Sequence, residues 1–133
     1  MIVVDTNVIA YLYLPGDRTA DAEALCRSDA EWAAPMLWRS ELRNVLATQV
    51  RSARLDLAAA QSIQAEAEQL LHGREFVVDS AEVLRLAAES DCSAYDCEFV
   101  VLAEYLDVSL VSADRRLVER FPGRARSLDR QAP

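Results

Sequence analysis

The sequence predicts a single three-layer α/β domain, in which helices cover a central, mostly parallel sheet of four to five strands. Short apolar runs alternate along the chain with longer helical stretches, and the connections between them are short. Such alternation favours a parallel sheet with helices on both faces. The 133 residues fit one domain, and an apolar content of 52% is enough to bury a core. We therefore expect one domain over residues 1–133.

The predicted elements begin with the β-branched run Ile2-Val3-Val4. Pro15-Gly16 stops the first helix and Gly73 closes the fourth. The predicted strands span residues 2–4, 31–34, 75–78, 108–111 and 125–128. The predicted helices span residues 6–14, 19–28, 36–52, 55–72, 80–90, 93–105 and 114–120. No internal repeat or linker divides the chain.

The charged residues exclude several classes of protein. The net charge is −8, and all 14 basic residues are arginine. The missing lysine rules out Schiff-base chemistry, a phosphate-binding P-loop lysine and the signalling lysine of receiver domains. The single histidine, His72, lies beside Gly73 at a predicted helix end, where interaction with the helix dipole explains it better than catalysis does.

The cysteines and the apolar runs indicate a compartment. Cys26, Cys92 and Cys97 are odd in number and form no C-x-x-C pair, so we expect free thiols in a reducing cytoplasm. No apolar run reaches the roughly 18 residues that a bilayer span requires, so no membrane partner is expected. The N-terminal Met-Ile-Val-Val-Asp has the pattern of a first strand and not of a secretory signal.

Acidic residues follow two of the predicted strands. Asp5 comes directly after the first strand, and Asp114 follows Ser112-Ala113 after the fourth. Ligands of open parallel sheets bind outside the carboxyl ends of the strands, so both acids are placed where a ligand would bind. Each aspartate is equally well explained as the N-cap of the helix that follows it.

Two further acids belong to helices with large apolar faces. Asp96 opens a helix that is apolar on most sides, and its alternative role is in a capping box with Ser93. Glu41 lies at the margin of an apolar stripe, where an unpaired carboxylate costs free energy. Its alternative is a surface glutamate paired with a neighbouring arginine.

These four acids come from four separate segments that can converge at one end of the sheet. Several carboxylates within a few ångströms cannot all stay ionised without a cation. Hard divalent ions take oxygen ligands of this kind, so the set favours Mg²⁺ or Mn²⁺ over zinc.

Four motifs resemble those of the PIN-domain family, and within it the VapC-type toxins of bacterial toxin–antitoxin modules. They occur in family order, from residue 2 to about residue 120. The motifs are the runs Val3-Val4-Asp5-Thr6-Asn7-Val8-Ile9, Arg39-Ser40-Glu41-Leu42-Arg43-Asn44-Val45-Leu46, Ala94-Tyr95-Asp96 and Leu110-Val111-Ser112-Ala113-Asp114-Arg115-Arg116-Leu117.

The resemblance implies a Mg²⁺- or Mn²⁺-dependent endoribonuclease that hydrolyses RNA, with structured RNAs such as tRNA or rRNA as its substrate class. It further implies a homodimer and a cognate DNA-binding antitoxin of the VapB type. Asp5, Glu41, Asp96 and Asp114 match the family's catalytic and metal-binding acids. Asn7 and Ser112 match positions that support the site by hydrogen bonding, and Ser112 keeps the hydroxyl of the family's usual threonine.

The positive charge is concentrated near the C-terminus. Residues 114–133 hold 6 of the arginines and 3 of the acids, while residues 1–113 hold 8 arginines and 19 acids. Arg115 and Arg116 are therefore candidate phosphate contacts, and a solvated rim is the alternative for this segment. Tyr95, next to Asp96, is a candidate for stacking on an RNA base.

Three other functions compete with the toxin. A phosphotransfer protein would use an aspartate after the first strand, but the chain has Asn7 where one such class needs a second aspartate, and it lacks the required lysine. A non-enzymatic PIN-like binding module would have no need of all four acids. A stand-alone RNA-processing nuclease without an antitoxin fits the same residues.

Overall fold

The computed structural model describes residues 1–130, with the side chain of Arg130 excepted. Five parallel strands form one sheet in the order β3-β2-β1-β4-β5. The strands are β1 (Ile2–Val4), β2 (Trp32–Pro35), β3 (Glu75–Phe76), β4 (Leu110–Ser112) and β5 (Ala125–Ser127). This arrangement confirms the predicted α/β class. The end of the predicted domain, residues 131–133, lies outside the described residues.

Seven helices pack around the sheet within the described residues. They are α1 (Thr6–Tyr13), α2 (Thr19–Ser28), α3 (Leu37–Arg51), α4 (Leu57–Leu70), α5 (Ser80–Ser90), α6 (Ala94–Leu106) and α7 (Arg115–Arg120), and a single 3₁₀ turn at Leu128–Arg130 follows. Helix α6 packs directly on β1 and β2, while α1 packs on α2 and α3. Each predicted helix is present, and its ends agree to within two residues.

Two strand boundaries differ from the prediction by two residues, and the other strand ends agree to within one residue. The third strand has two residues and not the predicted four, because Val77, with 90% of its surface exposed, lies beyond the last pairing with β2. The fourth strand begins at Leu110 and not at residue 108. The amide of Val108 donates to the carbonyl of Ala103, so it completes the end of α6, and Asp107 there adopts a left-handed conformation with φ 55°.

The core lies between the sheet and α6 on one side and under α1 and α3 on the other. Val3 and Val4 of β1 are fully buried, as are Trp32 and Trp38. Cys92 and Cys97 are buried free thiols, as expected for small apolar side chains. No helix in residues 1–130 is both long and apolar enough to cross a bilayer.

The crossover connections place helix N-termini at one edge of the sheet. Each strand of a parallel sheet ends at the same edge, and the next helix starts there before it returns along the sheet. Asp5 follows β1, α3 begins two residues after the end of β2, and α7 begins two residues after Ala113. Helix α6 reaches the same edge because it leads into the start of β4. The four acids are thereby brought together.

Candidate active site

A cavity of about 440 Å³ opens at this edge of the sheet, and all four predicted acids line it. Asn7 and Tyr95 line it as well, whereas Ser112 lies fully buried behind Asp5. Helix α3 supplies one wall, and α1 and α6 supply the others. The remaining lining residues are Thr6, Leu37, Ser40, Asn44, Val45, Phe99 and Leu117.

Asp5 is both the N-cap of α1 and a cavity residue. Its Oδ1 accepts a hydrogen bond from the amide of Val8 at 3.1 Å. Its Oδ2 accepts from the hydroxyl of Ser112 and from the amide of Ala113. Burial raises the pKa of Asp5 to about 6; the charge of Asp114 adds to this shift, and the three hydrogen bonds oppose it. Asp5 can therefore exchange a proton near neutral pH.

Glu41 is fixed by a hydroxyl from another helix. The Thr6 hydroxyl donates to Oε1 of Glu41 at 2.6 Å. The alternative interpretation, a pairing with a neighbouring arginine, does not hold, because no arginine among residues 1–129 forms an ion pair with Glu41 and Arg39 contacts Glu75 and Glu68 instead. Burial raises the pKa of Glu41, and the negative charges of Asp96 and Glu98 raise it further.

Asp96 and Asp114 complete the acidic wall. The Ser93 side chain caps α6 by accepting from the amide of Asp96 at 3.0 Å, which leaves the Asp96 carboxylate at the cavity. Asp114 caps α7 by accepting from the amide of Arg116 at 2.9 Å. Burial and the charge of Asp114 raise the pKa of Asp96, while Arg116, 3.9 Å away, opposes the rise.

The chemistry of this donor set fits a hard divalent cation. The negative charge of Asp114 raises the pKa of Asp5 and of Asp96, and the charge of Asp96 raises the pKa of Glu41. A cation would relieve that repulsion, and every donor is a carboxylate oxygen. In residues 1–130, however, no three acidic, histidine or cysteine side chains are close enough to enclose one ion. The carboxylates of Asp5, Glu41 and Asp114 are turned onto protein donors.

The two predicted supporting residues behave differently. Ser112 donates to Asp5 and its oxygen also accepts from the amide of Asp114 at 3.0 Å, so one hydroxyl joins two of the acids. Asn7 is exposed at the cavity, and among the described residues its side chain has no hydrogen bond to any of the four acids. A supporting role for Asn7 stays a prediction.

Sequence reasoning missed Thr6 and Glu98. Thr6 is a buried hydroxyl directly after Asp5, and a polar residue in the first turn of a helix at a strand end was the available signal. Glu98 is half-buried on α6 and raises the pKa of Glu41. A residue two positions after Asp96 lies on a different face of the helix from Asp96, so no local signal indicated Glu98.

The predicted RNA contacts lie at the rim. Tyr95 is 64% exposed, and the side chain of Arg116 is 72% exposed. Arg115 is exposed as well. Further along the predicted basic segment, Arg124 donates to the carbonyls of Ala103 and Val108 and so belongs to the fold. The side chain of Arg130 lies outside the described residues.

The model of the PIN domain family matches residues 2–122. The chain belongs to the PIN-domain family. This PIN domain is 32% identical over 125 residues to Ribonuclease VapC3 of Pyrobaculum aerophilum, which covers 91% of the chain and 95% of that relative. The predicted resemblance to VapC-type proteins is thereby confirmed.

Solved structures share the fold of this PIN domain. The crystal structure of PAE2754 from Pyrobaculum aerophilum superposes with a TM-score of 0.77 at 25% identity, over 96% of this chain and 90% of that one. FitAcB from Neisseria gonorrhoeae has a TM-score of 0.77 at 17% identity, over 98% and 99% of the two chains. FitAB bound to the IR36 DNA fragment has a TM-score of 0.74 at 18% identity, over 96% and 95%.

Proposed function

We propose that this PIN domain is a divalent-metal-dependent endoribonuclease, the toxin of a VapBC-type pair. The observation that supports it best is the convergence of Asp5, Glu41, Asp96 and Asp114 on one cavity, each from a different segment of the chain. The relative named Ribonuclease VapC3 supports the reaction class and the toxin type.

PIN-domain ribonucleases are generally divalent-metal dependent, and Mg²⁺ or Mn²⁺ suits this site because all four donors are carboxylate oxygens. Asp5 and Asp96 would hold the ion directly, and Glu41 and Asp114 would complete the donor set or hold waters around it. When bound, the ion would supply a nucleophilic water at neutral pH and stabilise negative charge on the phosphate.

The protein's own groups then orient the reactants. Ser112 holds Asp5 in one rotamer, and Thr6 does the same for Glu41. Burial raises the pKa of Glu41, which suits this carboxyl to take up a proton during attack on the phosphodiester. Arg115 and Arg116 contact phosphates that flank the cut, and Tyr95 stacks on a base.

Two protein partners follow from the same assignment. We expect a VapB-type antitoxin and a homodimer of the toxin. The net charge of −8 suits a partner with basic residues, which a DNA-binding antitoxin provides. Free thiols at Cys26, Cys92 and Cys97 are consistent with a reducing cytoplasm, where such pairs act.

The experiment is RNA cleavage by the purified chain with Mn²⁺, Mg²⁺ or a chelator, on a mixture of tRNA, rRNA fragments and unstructured RNA. We expect cleavage with either metal and none with the chelator. Asp5→Asn should abolish most of it. Asp79→Asn is the matched control, because Asp79 also caps a helix through its carboxylate but does not line the cavity. Equal activity of the two variants would refute the assignment.

The antitoxin is tested separately. Co-expression of the chain with the product of the adjacent upstream gene should yield a stable complex that no longer cleaves RNA. A chain that cleaves RNA but is not inhibited by any such product would be the stand-alone processing nuclease.

A further inference from the structure

A partly buried acid outside the cavity binds the first turn of α3. The Glu75 side chain on β3 is only 11% exposed. It accepts hydrogen bonds from Nε1 of Trp38 at 2.8 Å, and from Nε and Nη2 of Arg39 at 2.6 and 2.7 Å. The two contacts with Arg39 are charge-assisted and bidentate, so they are stronger than neutral hydrogen bonds.

The first turn of α3 has no cap of its own. Met36 occupies the N-cap position and offers no side-chain acceptor, and the first turn contains no acid. Four amides at a helix start lack intrahelical partners, so an uncapped helix start frays easily. The β3 strand compensates at two points, since the amide of Met36 donates to the carbonyl of Phe76 at 2.9 Å and Glu75 holds the next residues of the helix.

The same turn forms a wall of the cavity. Leu37, Ser40 and Glu41 all line it, and Trp38 and Arg39 lie between them in the chain. A helix is rigid within a turn, so a rotation or fraying at Trp38 and Arg39 displaces Glu41 from Thr6 and from Asp96. The outer contact of Arg39, with Glu68 of α4 at 3.2 Å, is more exposed and is expected to contribute less.

We infer that Glu75 is a positioning residue for RNA cleavage, which fixes the first turn of α3 and thereby the Glu41 carboxylate at the cavity. The inference rests on the proposed nuclease function. Glu75 contacts neither the cavity nor the four acids, so it acts only through Trp38 and Arg39.

The test compares Glu75→Gln with Glu68→Gln. Each substitution removes one negative charge from the partners of Arg39, but only the first breaks the bidentate pair. With saturating Mn²⁺, we expect Glu75→Gln to lower kcat by roughly 10–100-fold with little change in KM, and Glu68→Gln to stay within about twofold of the wild type. Amide hydrogen exchange of residues 37–41 should accelerate at least about tenfold in Glu75→Gln alone.

Two further variants separate positioning from stability. Arg39→Lys keeps the charge but loses the bidentate contact, so it should reproduce part of the kcat and exchange effects even if Glu75→Gln does not fold. Leu86→Ala shortens a buried side chain of α5 away from the cavity, so it should lower stability and leave kcat unchanged below its melting temperature.

The outcomes are distinct. Wild-type kcat and exchange in both Glu75→Gln and Arg39→Lys would overturn the inference, and so would an equal loss of kcat in Leu86→Ala. A wild-type chain that cleaves no RNA would refute the proposed function instead, and the exchange of residues 37–41 would still decide whether Glu75 fixes the turn.

Discussion

The Thr6 hydroxyl donates a 2.6 Å hydrogen bond to the Glu41 carboxylate and so joins the start of α1 to α3 across the cavity. Thr6 is buried and directly follows Asp5. One dipeptide therefore supplies a cavity acid and the hydroxyl that orients a second acid from a distant segment. Two of the four carboxylates consequently depend on the geometry of a single strand end.

Thr6→Val removes this hydroxyl and keeps the shape of the side chain. Glu41 loses its oriented donor, so we expect RNA cleavage to fall roughly 10–100-fold while the fold is retained. The free energy of unfolding should fall by about 1 kcal/mol, because Glu41 is only half-buried and water can replace the donor. Thr48→Val is the control, since that hydroxyl bonds a carbonyl on the exposed side of α3. Equal rates in the two variants would contradict a role for Thr6.

Ser112→Ala should raise the pKa of Asp5 further above about 6. The Ser112 hydroxyl stabilises the ionised form of Asp5. Without it, fewer hydrogen bonds oppose the effect of burial, which raises the pKa. An NMR titration of Asp5 in chelator measures this shift directly. Ser112→Thr keeps the hydroxyl and should restore the wild-type titration, whereas a pKa that does not move in Ser112→Ala would show that the bond is unimportant.

The raised pKa of Asp5 also predicts how stability depends on pH. Its pKa is about 6 in the folded chain against 3.8 unfolded, so between these values the folded state binds more protons. Stability attributable to Asp5 is therefore lost as pH rises from about 4 to 6, and the full shift corresponds to about 3 kcal/mol.

Urea denaturation in chelator at pH 4 to 7 checks this, with Asp5→Asn as reference. The stability of the wild type relative to Asp5→Asn should decline with rising pH, because the amide does not titrate. At pH 7, Mn²⁺ should raise the melting temperature of the wild type and not that of Asp5→Asn. Parallel pH profiles for the two proteins would contradict the titration of Asp5 in this range.

Arg116→Gln should weaken RNA binding more than it slows the chemical step. The side chain is exposed at the rim beside Asp96, where it can reach a phosphate. We expect a severalfold rise in KM. The slope of log RNA-binding constant against log salt concentration should become shallower by about 0.7. Arg120→Gln on the same helix is the control, because Arg120 is also exposed but, in the part of the chain that the structure describes, pairs with none of the cavity acids. An unchanged KM in Arg116→Gln would remove it from the RNA contacts.

Much of the fold could be predicted from the spacing of apolar residues and from the proline and glycine residues that end helices. Helix α5 was predicted at its observed bounds, because its apolar spacing is strong and Asp79 caps it. The ends of β3 and β4 could not be predicted, since they depend on pairing with β2 and on the way α6 closes at Asp107. Such tertiary contacts leave no local mark in an apolar run such as Phe76-Val77-Val78.

The acids could be predicted from their places in the chain. Asp5 follows a strand at the edge of the sheet where ligands bind, and Glu41 lies at the margin of a buried stripe, where an unpaired carboxylate costs free energy. The hydrogen bond from Thr6 to Glu41, and those from Trp38 and Arg39 to Glu75, could not be predicted. Each joins residues that are more than 30 positions apart in the chain. Only the packing of α3 against β2 and α1 brings them within reach.

The most direct test of a shared catalytic centre is single-turnover RNA cleavage against Mn²⁺ concentration for isosteric variants of the four acids. These are Asp5→Asn, Glu41→Gln, Asp96→Asn and Asp114→Asn. We expect each to lose about 100-fold or more, and the Asp5→Asn/Asp96→Asn double variant to be no slower than the slower single variant, since residues that act as a unit are not additive. Rates within about threefold of the wild type in Asp5→Asn and Asp96→Asn would contradict a metal-dependent centre at this cavity.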